Sequence, residues 1–336
     1  MEGVIEEVHL PPFELLQLLA DGEVHSGQEL AKLLSVSRTA VWKQLAKLKP
    51  LGFELHSTSG KGYCIPGGIE LLSEKQITAT LLKSCVDQIS RLTILKVIDS
   101  TNSFLLKQLP EEKITVCMAE CQTAGRGRRG RTWVSPFAKN IYLSFRMTLE
   151  GGVNVLEGLS LAVGVAIARA LNVSGVADVR LKWPNDVLWD DRKLAGVLIE
   201  IVGDPAGVCH LVVGVGLNVL SDNSMSMNIS QPWLSLQEIA KLQPIPSIGR
   251  NMIAAALIAE IVPLLAEYEQ HGFSAYRAEW EGLNAYTNRA VDVHIGSSTV
   301  NGILLGVDAT GALVLATDQG ERVFHGGEVS LREVLV

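Results

Sequence analysis

The run Gly125-Arg126-Gly127-Arg128-Arg129-Gly130-Arg131 places four guanidinium groups and three glycines in seven residues. Arginine stays charged at any working pH and its planar fork matches carboxylate and phosphate oxygens, so such crowding is costly unless an anion is held there. The glycines let backbone N–H groups approach that anion closely. The same letters spell G-x-G-x-x-G, the dinucleotide fingerprint, but a Rossmann turn must run directly into an apolar helix. Here Thr132-Trp133-Val134-Ser135-Pro136-Phe137 follows, with β-branched and aromatic residues and then a proline, so that reading is set aside. A solvated basic loop is the plainer alternative on spacing alone.

A chain of 336 residues has room for roughly two or three domains and a sizeable core. With 47% apolar and 19% charged residues and a mean hydropathy of +0.25, it reads as an ordinary folded protein. A net charge of -7 argues against indiscriminate nucleic-acid binding, so any DNA contact must be local. Met1 to Glu7 is acidic and Pro11-Pro12 follows, which is no secretory signal. The longest apolar helix candidate, Met252 to Leu265, contains Glu260 and Pro263 and reads as too short for a bilayer. No membrane partner and a cytoplasmic location are therefore expected. The five cysteines are scattered, with no C-x-x-C and no histidine at zinc spacing, so free thiols and no resident metal site are expected.

Residues 1–66 read as a separate head. Phe13 to Ala20 has an apolar helical face, Ser26 can cap a helix over Gln28 to Leu34, and Ser35-Val36-Ser37 turns into a third helix, Arg38 to Leu48. Gly52 to His56 and Gly62 to Ile65 alternate like two strands around a polar turn, a β-wing. This is a winged helix-turn-helix pattern. Residues 1–66 carry six Lys and Arg against eight Asp and Glu, yet residues 37–63 carry five against the single Glu54. The basic footprint thus falls on the third helix and the wing, where groove and phosphate contacts belong. Ser37, Arg38, Thr39, Lys43, Gln44 and Lys47, with Lys61 on the wing, form the candidate DNA-contacting set; a three-helix protein-binding module with a basic face is the alternative. Trp42 in the recognition helix can pack inward or face a base, and the pattern leaves both open.

Pro66-Gly67-Gly68 marks a hinge, followed by a short helix from Ser73 to Leu82. From Leu92 onward strands and helices alternate through Leu220, an α+β arrangement of mostly antiparallel pairs covered by helices within residues 67–283. Ser221 to Trp233 is polar and aperiodic, the signature of a lid or a disordered segment. In residues 284–336, short alternating runs separated by Gly- and Asp-rich turns indicate a small antiparallel barrel.

Three blocks then coincide in order: Asp99-Ser100-Thr101-Asn102; Gln122 with the glycine-arginine loop; and Lys182-Trp183-Pro184-Asn185-Asp186 with Asp191-Arg192-Lys193-Leu194-Ala195-Gly196. Together with Gly214-Val215-Gly216-Leu217-Asn218, they closely resemble the bifunctional biotin protein ligase and biotin operon repressor family, over essentially the whole chain. The resemblance implies a class II synthetase-like mixed sheet in the centre and an SH3-like barrel at the end. It also implies synthesis of biotinyl-5′-adenylate from biotin and Mg²⁺-bound ATP, with no permanently bound cofactor, and transfer of biotin to a lysine of the biotin carboxyl carrier protein. An adenylate-bound homodimer on operator DNA follows from the same likeness. A catalytically silent biotin sensor and a lipoate-type acyl ligase are the rival readings; the first should lack Lys193 or the arginine loop, and the second the DNA-binding head.

Residue by residue, the resemblance assigns catalysis to Lys193, Arg126 and Arg128, which would neutralise two anions as they join. It places biotin among Ser100, Thr101, Asn102, Gln122, Gly125, Arg126, Gly127, Arg128, Trp133, Lys193 and Gly196. A neutral planar ureido ring needs such hydroxyl and amide partners in a dry pocket, although Ser100 to Asn102 would otherwise read as a helix N-cap. Asn185, Asn218, Trp233 and Arg332 are the expected ATP contacts. One departure concerns the lid: no Arg or Lys lies between Ser221 and Trp233, so closure must use Met225, Met227, Ile229 and Trp233.

Overall fold

In the head, side-chain caps decide where each helix begins. The computed structural model describes residues 12–49, 52–149, 156–203, 207–221, 229, 231–246, 249–326 and 329–333. Helix α1 (Phe13–Leu19) buries Leu15, Leu16 and Leu19. In α2 (Gly27–Leu33) Ser26 and Glu29 form a reciprocal capping box, which satisfies two backbone donors that the helix leaves open. Ser37 Oγ accepts from Ala40 N at the start of α3 (Arg38–Ala46). The wing is an antiparallel pair, β1 (His56–Thr58) and β2 (Gly62–Cys64); its first strand begins where the expected run 52–56 ends and takes in Ser57 and Thr58, which the alternation assigns to the turn, and Tyr63 pairs back to His25.

The linker leads through α4 (Glu74–Thr80), capped by Ser73 as expected, and α5 (Lys83–Val86) into the central sheet. Its strands are β3 (Ile89–Ile98), β4 (Ile114–Gln122), β5 (Ile141–Leu149), β6 (Arg180–Lys182), β7 (Asp186–Trp189), β8 (Arg192–Gly203) and β9 (Cys209–Leu217). They lie in the order β3-β4-β5-β9-β8-β7-β6. Among the described residues of this sheet only β3 and β4, joined by α6 (Thr101–Leu106), run parallel. Strand β7 lies within the motif block and has no separate signal, because four residues are too few to display a period.

Alternation along β5, β8 and β9 separates two faces. Leu143, Phe145, Val213, Val215 and Val197 join the main core beneath α7 (Leu159–Val173) and a long helix, Arg250–His271. The opposite positions, in register, are Tyr142 and Ser144 on β5, Gly216 and Gly214 on β9, and Gly196 and Leu198 on β8. Three glycines on one face leave a shallow floor onto which other side chains can lie flat.

The long helix corrects an expectation. It spans 22 residues and is long and apolar enough to cross a membrane by length and composition, but 61% of its apolar window is buried inside the protein. Pro263 lies within it without ending it. It is a core helix packed on α7, and its apolar character belongs to that packing.

The C-terminal unit is a five-stranded antiparallel sheet: β10 (Ala290–Ile295), β11 (Ser298–Val307), β12 (Leu313–Thr317), β13 (Gly320–Phe324) and β14 (Val329–Glu333), in the order β13-β12-β11-β10-β14. Among the described residues β13 and β14 form its two edges. Trp183, 2% exposed, donates Nε1–H to the Gly311 carbonyl at 3.1 Å and pins this unit to the central one.

Candidate active site

A cleft opens over the glycine floor, and Ser100, Thr101, Asn102, Gln122, Arg126, Gly127, Arg128, Trp133, Asn185, Lys193 and Gly196 all line it. The fold therefore brings most of the expected site residues together from α6, β4, the glycine-arginine loop, the turn before β7, and β8.

The loop closes on itself. Arg126 and Thr132 face each other across it, Gly127 N–H donates to the Arg131 carbonyl at 2.7 Å, and Trp133 N–H donates to the Gly125 carbonyl at 2.9 Å. Arg129 takes φ 59° at the tip. Gly125 is buried, and a Cβ there would run into Ser135 Oγ and the Trp133 carbonyl, so its role is to let the loop pack against β4. Arg129 and Arg131 stay exposed at the rim.

Each inward cation rests on a protein oxygen. Arg126 Nη2 lies 2.7 Å from Glu200 Oε2, Arg128 Nη1 donates to Asn185 Oδ1 at 3.0 Å, and Lys193 Nζ lies 2.6 Å from Asp186 Oδ1. Burial draws the Arg128 guanidinium below its ordinary pKa, and the nearby Asp186 opposes that drift. The Lys193 ammonium also stands 5.4 Å over the Trp133 ring. Trp133 lies across Gly216, filling the space a Cβ would need there, and reaches to within 3.2 Å of the Cβ position at Gly196. Its indole Nε1–H is buried without an acceptor among the described residues, a donor that a bound acceptor group can satisfy.

The polar end of the cleft is a connected network. Ser100 Oγ accepts from Ser103 N at 3.4 Å, so it caps α6 while lining the cleft. Gln122 Oε1 accepts from Thr101 N and Oγ1 at 2.9 and 3.1 Å, and its Nε2 donates to Ser135 Oγ at 2.9 Å. Asn102 accepts from Ser144 Oγ at 2.6 Å and donates to Glu200 at 2.8 Å. A Cβ on Gly214 would occupy the position of the Asn102 amide.

The other expected nucleotide contacts lie behind Lys193. Its N–H donates to the Pro232 carbonyl and its carbonyl accepts from Leu234 N, at 3.0 and 3.1 Å, so the chain at Trp233 runs parallel to it. Asn218, 3% exposed, donates Nδ2 to the same carbonyl at 3.4 Å. Both residues fix the backbone of Lys193. Asn185 bridges Arg128 and the Val197 carbonyl. Arg332 lies in β14 opposite Asp292, with its side chain outside the described residues. Met225 and Met227 of the lid also lie outside them.

Glu200, Asp186, Ser144, Ser135 and Gly214 had no part assigned from the sequence. Period-two alternation in β5 and β9 carries the signal for Ser144 and Gly214. Asp186 stood inside the motif block, whereas Glu200, in an apolar strand, has no local signature.

In the head, Arg38, Thr39, Lys43, Lys47 and Lys61 are exposed on one side and Gln44 is half-buried; Ser37, also exposed, is spent on the N-cap. Arg38, Thr39 and Lys61 line a groove between α3 and the wing.

A helix-turn-helix head, a central sheet carrying a cation cleft and a small C-terminal sheet define an adenylating ligase with an attached DNA-binding module. Residues 94–218 match the Biotin/lipoate A/B protein ligase family, residues 13–64 an HTH domain, and residues 286–332 the Biotin protein ligase C terminal domain. The Bifunctional ligase/repressor BirA of Escherichia coli is 41% identical over 96% of this chain and 97% of its own length. The protein of that name from Bacillus subtilis is 27% identical over 95% and 98%. The biotin protein ligase of Aquifex aeolicus, solved with biotin and ATP, superposes with a TM-score of 0.61 at 26% identity, over 73% of this chain and all of that one. The chain belongs to the bifunctional biotin protein ligase and repressor family.

Proposed function

We propose that this protein condenses biotin with ATP to biotinyl-5′-adenylate and passes the biotinyl group to a lysine of a biotin carboxyl carrier protein. The convergence of Arg126, Arg128 and Lys193 on one cleft, each held by an oxygen that a substrate anion can replace, carries the reading. In the first step a biotin carboxylate oxygen bonds to the α-phosphorus, and the bond from that phosphorus to the pyrophosphate oxygen breaks. Lys193 moves from Asp186 to bridge the two reacting anions, while Arg126 and Arg128 offset the charge that grows on the phosphoryl oxygens. Mg²⁺ comes in on the phosphates as part of the ATP substrate and lowers their charge. In the second step a neutral lysine amine of the carrier attacks the acyl carbon, AMP leaves, and one proton is lost from nitrogen.

Ser100, Thr101, Asn102 and Gln122 form the ureido end of the biotin site, with Gly125 and Gly127 contributing backbone and Trp133 and Gly196 its apolar wall. Asn185, Asn218, Trp233 and Arg332 form the ATP end. Three units, 1–66, 67–283 and 284–336, divide the work, and Ser37, Arg38, Thr39, Lys43, Gln44, Lys47 and Lys61 face operator DNA.

The adenylate-bound form is a homodimer. Strand β8 pairs with β7 only as far as Gly196, while its pairing with β9 continues to Gly203. The stretch beyond, with Ile201 41% and Val202 51% exposed, is an open strand edge beside the Arg126–Glu200 pair, suited to adding a second copy once the adenylate is bound. Such a protein works in the cytoplasm, where carrier, nucleotide and DNA meet.

One experiment separates the rivals: incubation with MgATP, labelled biotin or lipoate, and a carrier domain. Biotin-dependent pyrophosphate release with label on the carrier is expected. Release with lipoate alone would make it a lipoyl ligase, and release with neither acid would leave a sensor without chemistry. Sedimentation with and without adenylate tests the dimer; an unchanged monomer at saturating ligand refutes it.

A further inference from the structure

Of the six tryptophans in the chain, Trp183 and Trp280 are buried and Trp133, Trp189 and Trp233 are partly covered, whereas Trp42 is 63% exposed. Its position in α3 explains the exposure. Val41 and Leu45 turn inward, at 1% and 2% exposed, and fasten the helix to the head, which leaves the next position pointing away from the core. Tryptophan is highly buried on average, so an indole left in water at mid-helix lacks a structural reason.

The neighbours indicate what covers it. Helix α3 carries no acidic residue, and exposed Arg38, Thr39 and Lys43 share its outer face. Trp42 lines the same groove as Arg38 and the wing residues Gly60 and Lys61. An apolar ring framed by cations suits a polyanion that presents apolar groups between its charges. Duplex DNA does this in the major groove, where the thymine C5 methyl projects. A recognition helix lies in that groove with its side chains on base edges.

We infer that Trp42 is a specificity-determining residue of the head, making an apolar contact with a thymine methyl in the major groove while Arg38, Lys43 and Lys61 hold the phosphates. The inference rests on the DNA-binding role proposed above. It differs from a phosphate contact in one respect: it predicts loss of sequence discrimination without loss of salt dependence.

The test uses the full-length protein with biotin and MgATP, first to enrich duplexes from a random-sequence library, then to measure affinity for the enriched duplex and for a shuffled duplex of equal composition. W42A is expected to lose about five- to a hundredfold on the enriched duplex, the range of one misread base pair. It should change little on the shuffled duplex and keep both the salt slope and the rate of biotin attachment. Replacing thymines singly with deoxyuridine should weaken the wild type at one or two positions and leave W42A indifferent there. W42F, retaining a ring, should lie between, and unchanged hydrogen exchange in the head would show that it stays folded. Equal losses on both duplexes, or none on either, overturn the inference. So does a W42A protein that has lost self-association while each dimer binds DNA as before. A wild type that enriches no duplex overturns the DNA-binding role and this inference with it.

Discussion

Phe137 ends the segment that returns from the cation loop, yet its ring belongs to the core of the head. It is 2% exposed and clusters with Leu15, Leu45 and Leu48. Its ring centroid lies 5.2 Å from that of Phe13 and 5.9 Å from that of Phe53. Truncating a buried phenylalanine to alanine costs about 3–5 kcal/mol, and the two ring pairs, one tilted and one edge-to-face, put this site toward the upper half. The loss should fall on the head, because the main core is a separate cluster that excludes Phe137. A unit this small has little stability in reserve. In F137A, hydrogen exchange measured by mass spectrometry should therefore quicken roughly 10³-fold in peptides from α1, α3 and the wing, while β5 and β9 keep their protection. Head peptides that stay within about fivefold of wild type would show that the contact does not hold the head, and the reasoning from burial would fail. Equal acceleration throughout the sheet would refute the separation into two cores.

Three further outcomes follow from distances in the cleft and the head. K193A should lower biotin-dependent pyrophosphate release by about 10²- to 10³-fold, and undiminished release would remove Lys193 from the chemistry. G216A should push the Trp133 indole off the sheet floor, at the cost of about 1–3 kcal/mol typical of overpacking; calorimetric titration with biotin should report weaker binding, with G196A, whose nearest neighbour is the flexible Lys193 Cε at 3.1 Å, the milder case. For His25, burial opposes the charge, but Asp21 at 2.9 Å and Glu29 at 3.5 Å outweigh it and hold the pKa above the ordinary 6.5. Its stabilisation of the head is thus complete below pH 6.5 and drains away as the pH rises through the folded value. Being near the surface it is worth less than about 1 kcal/mol, so protection factors in the head, with the base-catalysed rise of intrinsic amide exchange divided out, should fall modestly between about pH 6 and pH 8.5, and D21N should flatten that dependence.

What was legible in the sequence was local in origin. Ser26 and Ser73 are caps written within four residues of the helices they open, and the wing and the barrel turns are announced by glycine, serine and aspartate. The cation loop is equally plain, because seven adjacent residues carry it. Lys193 could be placed beside that loop only by resemblance, since nothing in the intervening residues specifies that β8 lies across from it. The counter-charges were hidden for the same reason: Glu200 looks like a solvent-facing strand residue until β8 is laid beside α6 and the loop. The apolar helix misled through its length. Its periodicity stops being readable near Glu260 and Pro263, yet the backbone continues to His271 because packing on α7 outweighs the local break.

The linker between head and cleft is fixed by charges that a cheaper design would omit. Arg250, 2% exposed, lies 2.8 Å from the Glu120 carboxylate and donates to the carbonyls of Glu70 and Asn140. Glu70 in turn accepts from the backbone of Arg250 and Asn251, and Glu120 takes the N–H of Leu72 at 2.5 Å. A buried ion pair of this kind adds little net stability over apolar residues of the same volume, since desolvation cancels most of the attraction. What it supplies is direction, because each carboxylate oxygen accepts only along certain lines. The directions chosen here lead to the active site. Glu120 lies two residues before Gln122 on β4, and Asn140 Oδ1 holds Val219 N at 2.9 Å, next to the Asn218 that fixes Lys193. The strand bearing Gln122 and the residue that fixes the backbone of Lys193 thus share one buried network with the segment that leads out of the head.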